Sequence, residues 1–248
     1  MAVRLNTQTI KEGSSADKAD ITLVIDYKEH LNKTLGFNIK SNIGSKPTFL
    51  NASQATNFIY EIQDFDGDIE ELNSYTGNSK IRDRIRAIRD GGGKFVFCDV
   101  GNAVFKQNLM KIDTQLPEII SNLLLNYFAG NGHNIQEVVN SCDSLQLSNC
   151  VLSRPELMYK MKKFLVANAL GFFPSKPWNG YNKAQGYIIV KRNGDIGCFD
   201  VFLPEILENY LYTNVKFDTP SSSRHGFGVI YEQNGKKYIK LNLQIRFV

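Results

Sequence analysis

Hydrophobic residues follow different spacings along the chain, with strand-like segments at both ends and helix-like segments between them. Near the start, Ile21–Ile25 and Leu35–Ser41 are rich in the β-branched and aromatic residues that favour strands. The run 26–34 that separates them is polar and short enough to connect a hairpin. We therefore predict two antiparallel strands.

Two further segments near the start have the spacing of amphipathic helices. Residues 54–62 follow Ser53, a good N-cap residue, and carry apolar side chains at helical intervals. Residues 80–90 place three isoleucines on one helical stripe, and Gly91–Gly93 ends the segment. The pattern predicts a helix over each segment, with the arginines of 80–90 facing solvent.

The middle of the chain has helical spacing of apolar residues, whereas the end has the alternation typical of strands. Residues 102–129 and 154–170 are apolar at helical spacing and have a proline near each helix start. Asn-Gly pairs at 193–194 and 234–235 separate alternating segments, which is a strong hairpin signal. The chain therefore continues as a helical middle followed by two antiparallel hairpins.

Composition agrees with a globular protein. Of 248 residues, 42% are hydrophobic and 22% are charged, which argues against disorder or a repetitive fibre. A chain of this length buries a substantial core without disulfides. We predict an α+β fold with a helical middle and C-terminal antiparallel hairpins. It would form one domain over 1–248, in which about 171–248 is a candidate β-rich subdomain.

Cysteine content and charge indicate the cellular compartment and the kind of partner to expect. Four cysteines occur without CxxC pairs, and the N-terminus lacks the apolar run of a signal peptide. No segment is apolar enough for a transmembrane helix, so we expect no membrane and a reducing cytoplasm. The net charge of +4 is concentrated after residue 140. This excess permits a phosphate-bearing partner without identifying one.

Asp20, Asn38 and Lys40 form the most informative polar arrangement. Alternation along a strand sends Asn38 and Lys40 to one face, and pairing of the two early strands brings Asp20 towards them. Metal-assisted phosphodiester hydrolysis needs a carboxylate for a divalent cation, a second oxygen ligand and a lysine beside the attacking water. This layout is that of PD-(D/E)xK nucleases, except that Asn38 stands at the acidic position.

Other interpretations of these residues remain open. Asp20 is also suited to an ordinary turn, and Lys40 to a solvated charge on a sheet edge. Asp26 and Lys28 form a second D-x-K pattern, but it follows Asp20 too closely to leave room for two strands. We therefore rank Asn38 and Lys40 above it.

Several separated runs, in the same order along most of the chain, resemble the HpaII family of type II restriction endonucleases. The runs are Ser15–Ile21, Leu35–Ser45, Pro47–Phe58, 223–228 and Lys240–Phe247. The resemblance implies a restriction-endonuclease-like core of the PD-(D/E)xK kind. It also implies Mg²⁺-dependent cleavage of double-stranded DNA at a short, GC-rich sequence such as CCGG.

The resemblance also implies roles for the three polar residues. Asp20 would be the metal-binding aspartate, Lys40 the active-site lysine, and Asn38 the residue in the acidic position. Either Asn38 ligates the metal through its oxygen, or another acid supplies the missing charge. Glu12 and Glu61, which we expect on the following helix, are the nearby acids.

Two polar segments are candidates for reading DNA. Ser, Asn, Thr and Gln side chains distinguish base edges, lysine holds phosphate, and arginine pairs with guanine in a bidentate manner. A solvated loop is the simpler interpretation of both segments. The candidate residues are Ser41, Asn42, Ser45, Lys46, Thr48, Asn51, Ser53 and Gln54 in the first, and Arg224 and His225 in the second.

Duplex cleavage usually employs two active sites related by symmetry, so we expect a homodimer or a heterodimer with a related subunit. Two other functions remain open. The neutral Asn38 suits a catalytically inactive, sequence-specific DNA-binding protein or subunit. The weak net charge suits an interaction protein without a nucleic-acid role.

Overall fold

The chain forms a mixed α+β structure, as predicted. The computed structural model describes residues 11–12, 19–27, 31–200, 203–221 and 224–248, excluding the side chains of 11–12, 23–27 and 31–34. The strands are β1 (Lys11–Glu12), β2 (Ile21–Tyr27), β3 (Leu31–Ser41), β4 (Thr48–Leu50), β5 (Asn57–Gln63), β6 (Lys94–Val100), β7 (Ser144–Gln146), β8 (Val151–Ser153), β9 (Gly186–Val190), β10 (Ile196–Asp200), β11 (Val215–Phe217), β12 (Ile230–Gln233), β13 (Lys236–Asn242) and β14 (Ile245–Phe247). The helices are α1 (Ile69–Ser74), α2 (Lys80–Asp90), α3 (Ala103–Ile112), α4 (Leu116–Phe128), α5 (Ile135–Asn140), α6 (Arg154–Leu170) and α7 (Pro204–Asn214).

The predicted N-terminal hairpin lies in the sheet β1-β2-β3-β9-β10. β2 and β3 pair antiparallel with Ile21 opposite Phe37, which confirms the predicted pairing. Both strands extend further than predicted, and residues 28–30, including Lys28, lie outside the described residues. β9 then joins β3 in parallel, so a distant part of the chain completes this sheet.

The predicted C-terminal hairpins form, but they do not pair with each other. β9 and β10 complete the first sheet, whereas β12 and β13 lie in the sheet β12-β13-β5-β6. A third sheet has the order β11-β14-β4, and β7 pairs with β8. Strands from both ends of the chain thus share sheets. The subdomain boundary near residue 171 stays a prediction.

The helical middle packs against strands of three different sheets, since α4 contacts β6, α6 contacts β9 and α5 contacts β11. α3, α4 and α6 fall within the segments predicted to be helical. Apolar residues of α4 and α6, such as Leu123, Leu124, Phe164 and Leu165, are completely buried in one continuous core. Burial of these faces stabilises the helices more than their intrinsic propensities do.

The helix predicted over 54–62 is wrong. A single 3₁₀ turn covers Gln54–Thr56, and β5 follows it. Phe58, Tyr60 and Ile62 are buried at strand spacing, and β5 pairs with β13 on one side and β6 on the other. A short apolar run fits both helical and strand periodicity. Here the hydrogen bonds to β13 and β6 on its two edges favour the strand.

The expectation that all arginines of 80–90 face solvent is also wrong. The helix and its buried stripe of Ile81, Ile85 and Ile88 are confirmed, but Arg84 lies on the same stripe and is only 4% exposed. Arg84 follows Ile81 by three positions and precedes Ile88 by four, so helical geometry places it inside. Its guanidinium donates to the carbonyl oxygens of Leu72, Asn73, Tyr75 and Gly228.

Candidate active site

The residues predicted to carry the chemistry lie around one cavity. Asp20, Asn38 and Lys40 line a space of about 200 Å³. Their convergence agrees with the expectation from strand pairing, while their chemical roles remain predictions. The other lining residues are Phe49, Asn168, Ala169, Phe173 and Tyr187.

Asp20 is fixed to the neighbouring strand immediately before β2 begins. Its main-chain N–H donates to the carbonyl oxygen of Phe37 over 2.8 Å. Its Oδ2 accepts a hydrogen bond of 2.6 Å from the main-chain N–H of Ile39. Among the described residues, the second carboxylate oxygen has no such partner, and no cationic side chain forms an ion pair with Asp20. The carboxylate is therefore held in place with one oxygen available.

Asn38 is buried, and its amide has a defined orientation. Its Nδ2 donates to the carbonyl oxygen of Ala169, in the last turn of α6, over 2.6 Å. A carbonyl oxygen only accepts, so the amide nitrogen must be the atom that faces it. Oδ1 of Asn38 is then left as an acceptor at the cavity. A carboxylate at this position would instead place two acceptors against each other, which explains why an amide suits it.

Lys40 is half-buried and has no carboxylate partner in the part of the chain that the structure describes. It lies two positions after Asn38 on β3, on the same side of the strand, as alternation predicts. An ammonium without a neutralising acid is available to an anion that enters the cavity. A phosphate group has the charge and the acceptor oxygens for this contact.

Gly186 allows β9 to approach β3 at the cavity. The two strands pair in parallel, with Phe37 opposite Gly186 and Asn38 opposite Tyr187. A Cβ atom at Gly186 would lie 2.2 Å from Cε1 of Phe37, which is a severe clash. The glycine therefore brings Tyr187 beside the residues of β3.

Two polar lining residues, Asn168 and Tyr187, were not identified from the sequence. Asn168 is 3% exposed, and its Nδ2 donates to the carbonyl oxygen of Phe49 over 3.2 Å. It stands on the buried stripe of α6 with Phe164 and Leu165, so a lone amide on an apolar helix face was the available signal. The position of Tyr187 depends on the pairing of β9 with β3, for which the sequence has no local signal.

The hydroxyl of Tyr187 has no hydrogen-bond partner among the described residues, although the side chain is only 1% exposed. Burial, followed by the negative charge of Asp20, raises the pKa of Tyr187 well above its ordinary value. The group is therefore a neutral donor at physiological pH. Its unpaired state at a polar cavity is unusual, because buried hydroxyls are normally hydrogen-bonded.

Of the two acids proposed to replace an acidic residue at position 38, Glu61 does not line the cavity. Glu61 lies on β5, not on a helix, and pairs with Lys236 over 3.1 Å in another sheet. That ion pair lowers the pKa of Glu61. Glu61 is therefore a wrong candidate. Glu12 stands opposite Ile21 in the strand register, and its side chain lies outside the described part of the molecule.

The donor set fits a hard divalent cation that is only partly ligated by protein. Asp20 offers a carboxylate oxygen, and Asn38 offers Oδ1. Magnesium is commonly held by one or two carboxylates and completed by water and substrate phosphate. A closed cage of three or more acidic, histidine or cysteine residues is absent from the described residues. An open site of this kind leaves coordination positions for a substrate.

The two segments predicted to read DNA meet at a second cleft. Gln54 and His225 line a space of about 430 Å³ together with Lys240. Asn57 fixes one wall, because its Nδ2 donates to the carbonyl oxygen of His225 over 2.9 Å. Arg224 is exposed next to it.

The remaining residues of the first segment lie elsewhere. Ser41, Ser45, Lys46 and Asn51 are exposed, whereas Asn42, Thr48 and Ser53 are half-buried. None of them lines either the first cavity or the second cleft. The Oδ1 atom of Asn42 is buried without a partner among the described residues.

No described helix combines the length and the hydrophobicity needed to cross a membrane. The cytoplasmic location stays a prediction.

Comparison with known proteins gives a matching family model and a similar protein. A family model described as HpaII restriction endonuclease matches residues 2–247. Type II restriction enzyme HpaII from Haemophilus parainfluenzae is 43% identical over 240 residues, which are 95% of this chain and 66% of that protein. The chain thus spans slightly less than two thirds of the length of this relative. No solved structure matches the chain.

Proposed function

Because the chain belongs to the HpaII restriction endonuclease family, we propose that it cleaves double-stranded DNA at a short specific sequence, as a type II restriction endonuclease. The observation that carries the proposal is the meeting of a carboxylate, an amide oxygen and an unneutralised lysine at one cavity. We assign the β2–β3 hairpin to a PD-(D/E)xK-like core with Asn38 in the acidic position.

Each of the three residues has a distinct role in this proposal. Asp20 and Asn38 would hold Mg²⁺ through Oδ1 of each side chain. When bound, Mg²⁺ stabilises negative charge on the reacting phosphate. The ammonium of Lys40 orients the attacking water and stabilises the charge that develops on the phosphate oxygens. The backbone N–H of Ile39 keeps Asp20 oriented while the phosphate reacts.

We propose that the second cleft contacts the same duplex. Gln54 has the donor and acceptor pair that reads an adenine edge, and Lys240 has a charge suited to phosphate. Exposed Arg224 beside the cleft is suited to bidentate contact with guanine. The exposed polar residues of 41–51, which follow β3 in the chain, would provide further contacts to DNA. The assembly would be a dimer, with one cavity for each strand of the target.

Digestion of a plasmid of known sequence tests the proposal. With Mg²⁺ we expect discrete fragments whose ends map to one short sequence, and with EDTA we expect intact plasmid. Mapping the ends also tests whether that sequence is CCGG. Sequence-specific binding in a gel shift without cleavage in Mg²⁺ or Mn²⁺ would instead identify an inactive DNA-binding protein. Absence of both binding and cleavage would contradict any role on DNA.

A further inference from the structure

The hydroxyl of Tyr187 forms no hydrogen bond within the described part of the protein. Its ring packs edge-to-face on Phe49 with centroids 6.4 Å apart, and a phenylalanine would keep this contact. The oxygen has no hydrogen-bond partner among the described residues. Burying an unpaired hydroxyl opposes folding. A tyrosine here therefore disfavours the folded protein relative to a phenylalanine, unless the hydroxyl meets a ligand.

Three of the acceptors around the cavity are already engaged by other donors. The carbonyl oxygen of Ala169 accepts from Asn38, and that of Phe49 accepts from Asn168. Oδ2 of Asp20 accepts from the main-chain N–H of Ile39. These bonds fix the walls of the cavity and leave the Tyr187 hydroxyl as an unused donor. A molecule that enters the cavity and carries acceptor oxygens is then its natural partner.

We propose that the Tyr187 hydroxyl donates a hydrogen bond to a non-bridging oxygen of the scissile phosphate, and is thus a further catalytic residue. This inference rests on the proposed nuclease function. Asp20 and Tyr187 line the same small cavity, so a phosphate held at Asp20 lies beside the Tyr187 side chain. A neutral phenol donates without adding a charge close to the carboxylate. The bond strengthens as charge accumulates on the phosphate oxygens, so it lowers the barrier more than it improves binding.

Tyr212 provides a matched control within the same chain. Its hydroxyl is also buried without a partner among the described residues, and burial raises its pKa to about 12. Tyr212 lies on α7 and does not line the cavity. A Tyr-to-Phe change at this position removes the same atom from a similarly buried place. It therefore separates an effect at the cavity from an effect of losing a buried hydroxyl.

The test compares Tyr187→Phe, Tyr212→Phe and wild type in single-turnover cleavage of a short duplex that contains the mapped target. We expect Tyr187→Phe to cleave about 10- to 100-fold more slowly, as for loss of one hydrogen bond to a charged group. Duplex affinity should stay within about threefold. The Tm should be unchanged or higher, because an unpaired polar atom has been removed. Tyr212→Phe should cleave at the wild-type rate.

Sulfur substitution at the scissile phosphate identifies the hydrogen-bonded atom. Sulfur is a weak acceptor, so the two phosphorothioate diastereomers separate the two non-bridging positions. For the diastereomer with sulfur at the contacted position, the wild-type advantage over Tyr187→Phe should shrink to about threefold or less, because each change removes the same bond. The other diastereomer should preserve the full advantage.

Two results would overturn the assignment. One is a wild-type rate for Tyr187→Phe, which would leave the hydroxyl without a catalytic contact. The other is a full effect of Tyr187→Phe on both phosphorothioates, which would place its partner elsewhere than the phosphate. In either case active wild-type enzyme keeps the nuclease function intact. Absence of cleavage by wild type on any duplex would instead contradict the proposed function itself.

Discussion

Arg84 and the cavity at β3 show two opposite ways of placing polar groups inside this protein. The Arg84 guanidinium is buried, and each of its three nitrogens donates to a main-chain carbonyl oxygen. At the cavity, by contrast, the Tyr187 hydroxyl and the Lys40 ammonium have no partner among the described residues. Both regions therefore contain polar groups whose burial opposes folding, but only the Arg84 guanidinium has hydrogen-bond partners on all its nitrogens.

This difference suggests that Arg84 contributes to stability and that the polar groups at the cavity contribute to activity. The Arg84 contacts join α2 to the segment 72–75 and to Gly228 just before β12, so they stabilise the fold. Unpaired groups at the cavity bring no comparable stabilisation and are available to a ligand that enters. Substitutions at Arg84 should therefore change stability, and substitutions at the cavity should change activity.

The largest expected effect is on cleavage by Lys40→Ala and Asp20→Ala. Each change removes a group proposed to meet the reacting phosphate or its cation, so cleavage should fall by about 10³-fold or more. Duplex binding in Ca²⁺ should be largely retained, and the Tm should change by no more than a few degrees. Gel shifts and single-turnover assays measure both properties. Cleavage near the wild-type rate by either variant would show that the chemistry lies elsewhere.

Arg84→Met should have the next largest effect, and on stability alone. The change leaves several buried carbonyl oxygens without donors, which costs about 3 kcal/mol. For a chain of this size that corresponds to a Tm lower by roughly 6–12 °C. Cleavage by the folded protein at low temperature should be unchanged. Arg86→Met is the control, because Arg86 is exposed on the same helix and its loss should shift the Tm little.

Asn38→Asp tests a residue that combines both situations, since, among the described residues, its Nδ2 has a hydrogen-bond partner and its Oδ1 does not. A carboxylate there would face the Ala169 carbonyl oxygen, and that acceptor would lose its donor. We expect a stability loss of about 1–3 kcal/mol and a changed ratio of rates in Mg²⁺ and Mn²⁺. Asn38→Ala should destabilise similarly and cleave more slowly. An Asn38→Asp variant as stable as wild type, with the same metal preference, would place the second ligand elsewhere.

Local signals in the sequence were sufficient for some elements and not for others. The β2–β3 hairpin and the two Asn-Gly hairpins were predicted because neighbouring segments pair across short connections. The parallel pairing of β9 with β3 was not, because it joins distant segments and leaves no local pattern. Asp20, Asn38 and Lys40 could therefore be found from the sequence, whereas Tyr187 could not.

Arg84 and β5 were misjudged for a different reason. A charged residue on an apolar helix stripe is buried only if carbonyl oxygens from other segments surround it, and the sequence of α2 does not reveal them. The run 57–63 fits both helical and strand spacing, and the partners on its two edges decide between them. In both cases contacts from outside the segment override its own pattern.

The smallest expected effect is on duplex binding by two surface lysines, one without an acidic partner and one in an ion pair. Lys240 lines the second cleft without a carboxylate partner among the described residues, and its Nζ lies 4.9 Å from the Tyr231 ring centroid. Lys94 is paired with Asp64 over 2.8 Å. It lies at the far end of β6 from Gly101, which lines the cleft.

If unpaired groups meet the ligand, Lys240→Gln should weaken duplex binding about 3- to 10-fold and reduce the slope of log affinity against log salt by about one. Lys94→Gln should leave both unchanged, because its exposed ion pair contributes little. Gel shifts at several salt concentrations measure the slope directly. An equal change in slope for both lysines would mean that the duplex responds to overall charge, and the unpaired state of Lys240 would then carry no information about where DNA binds.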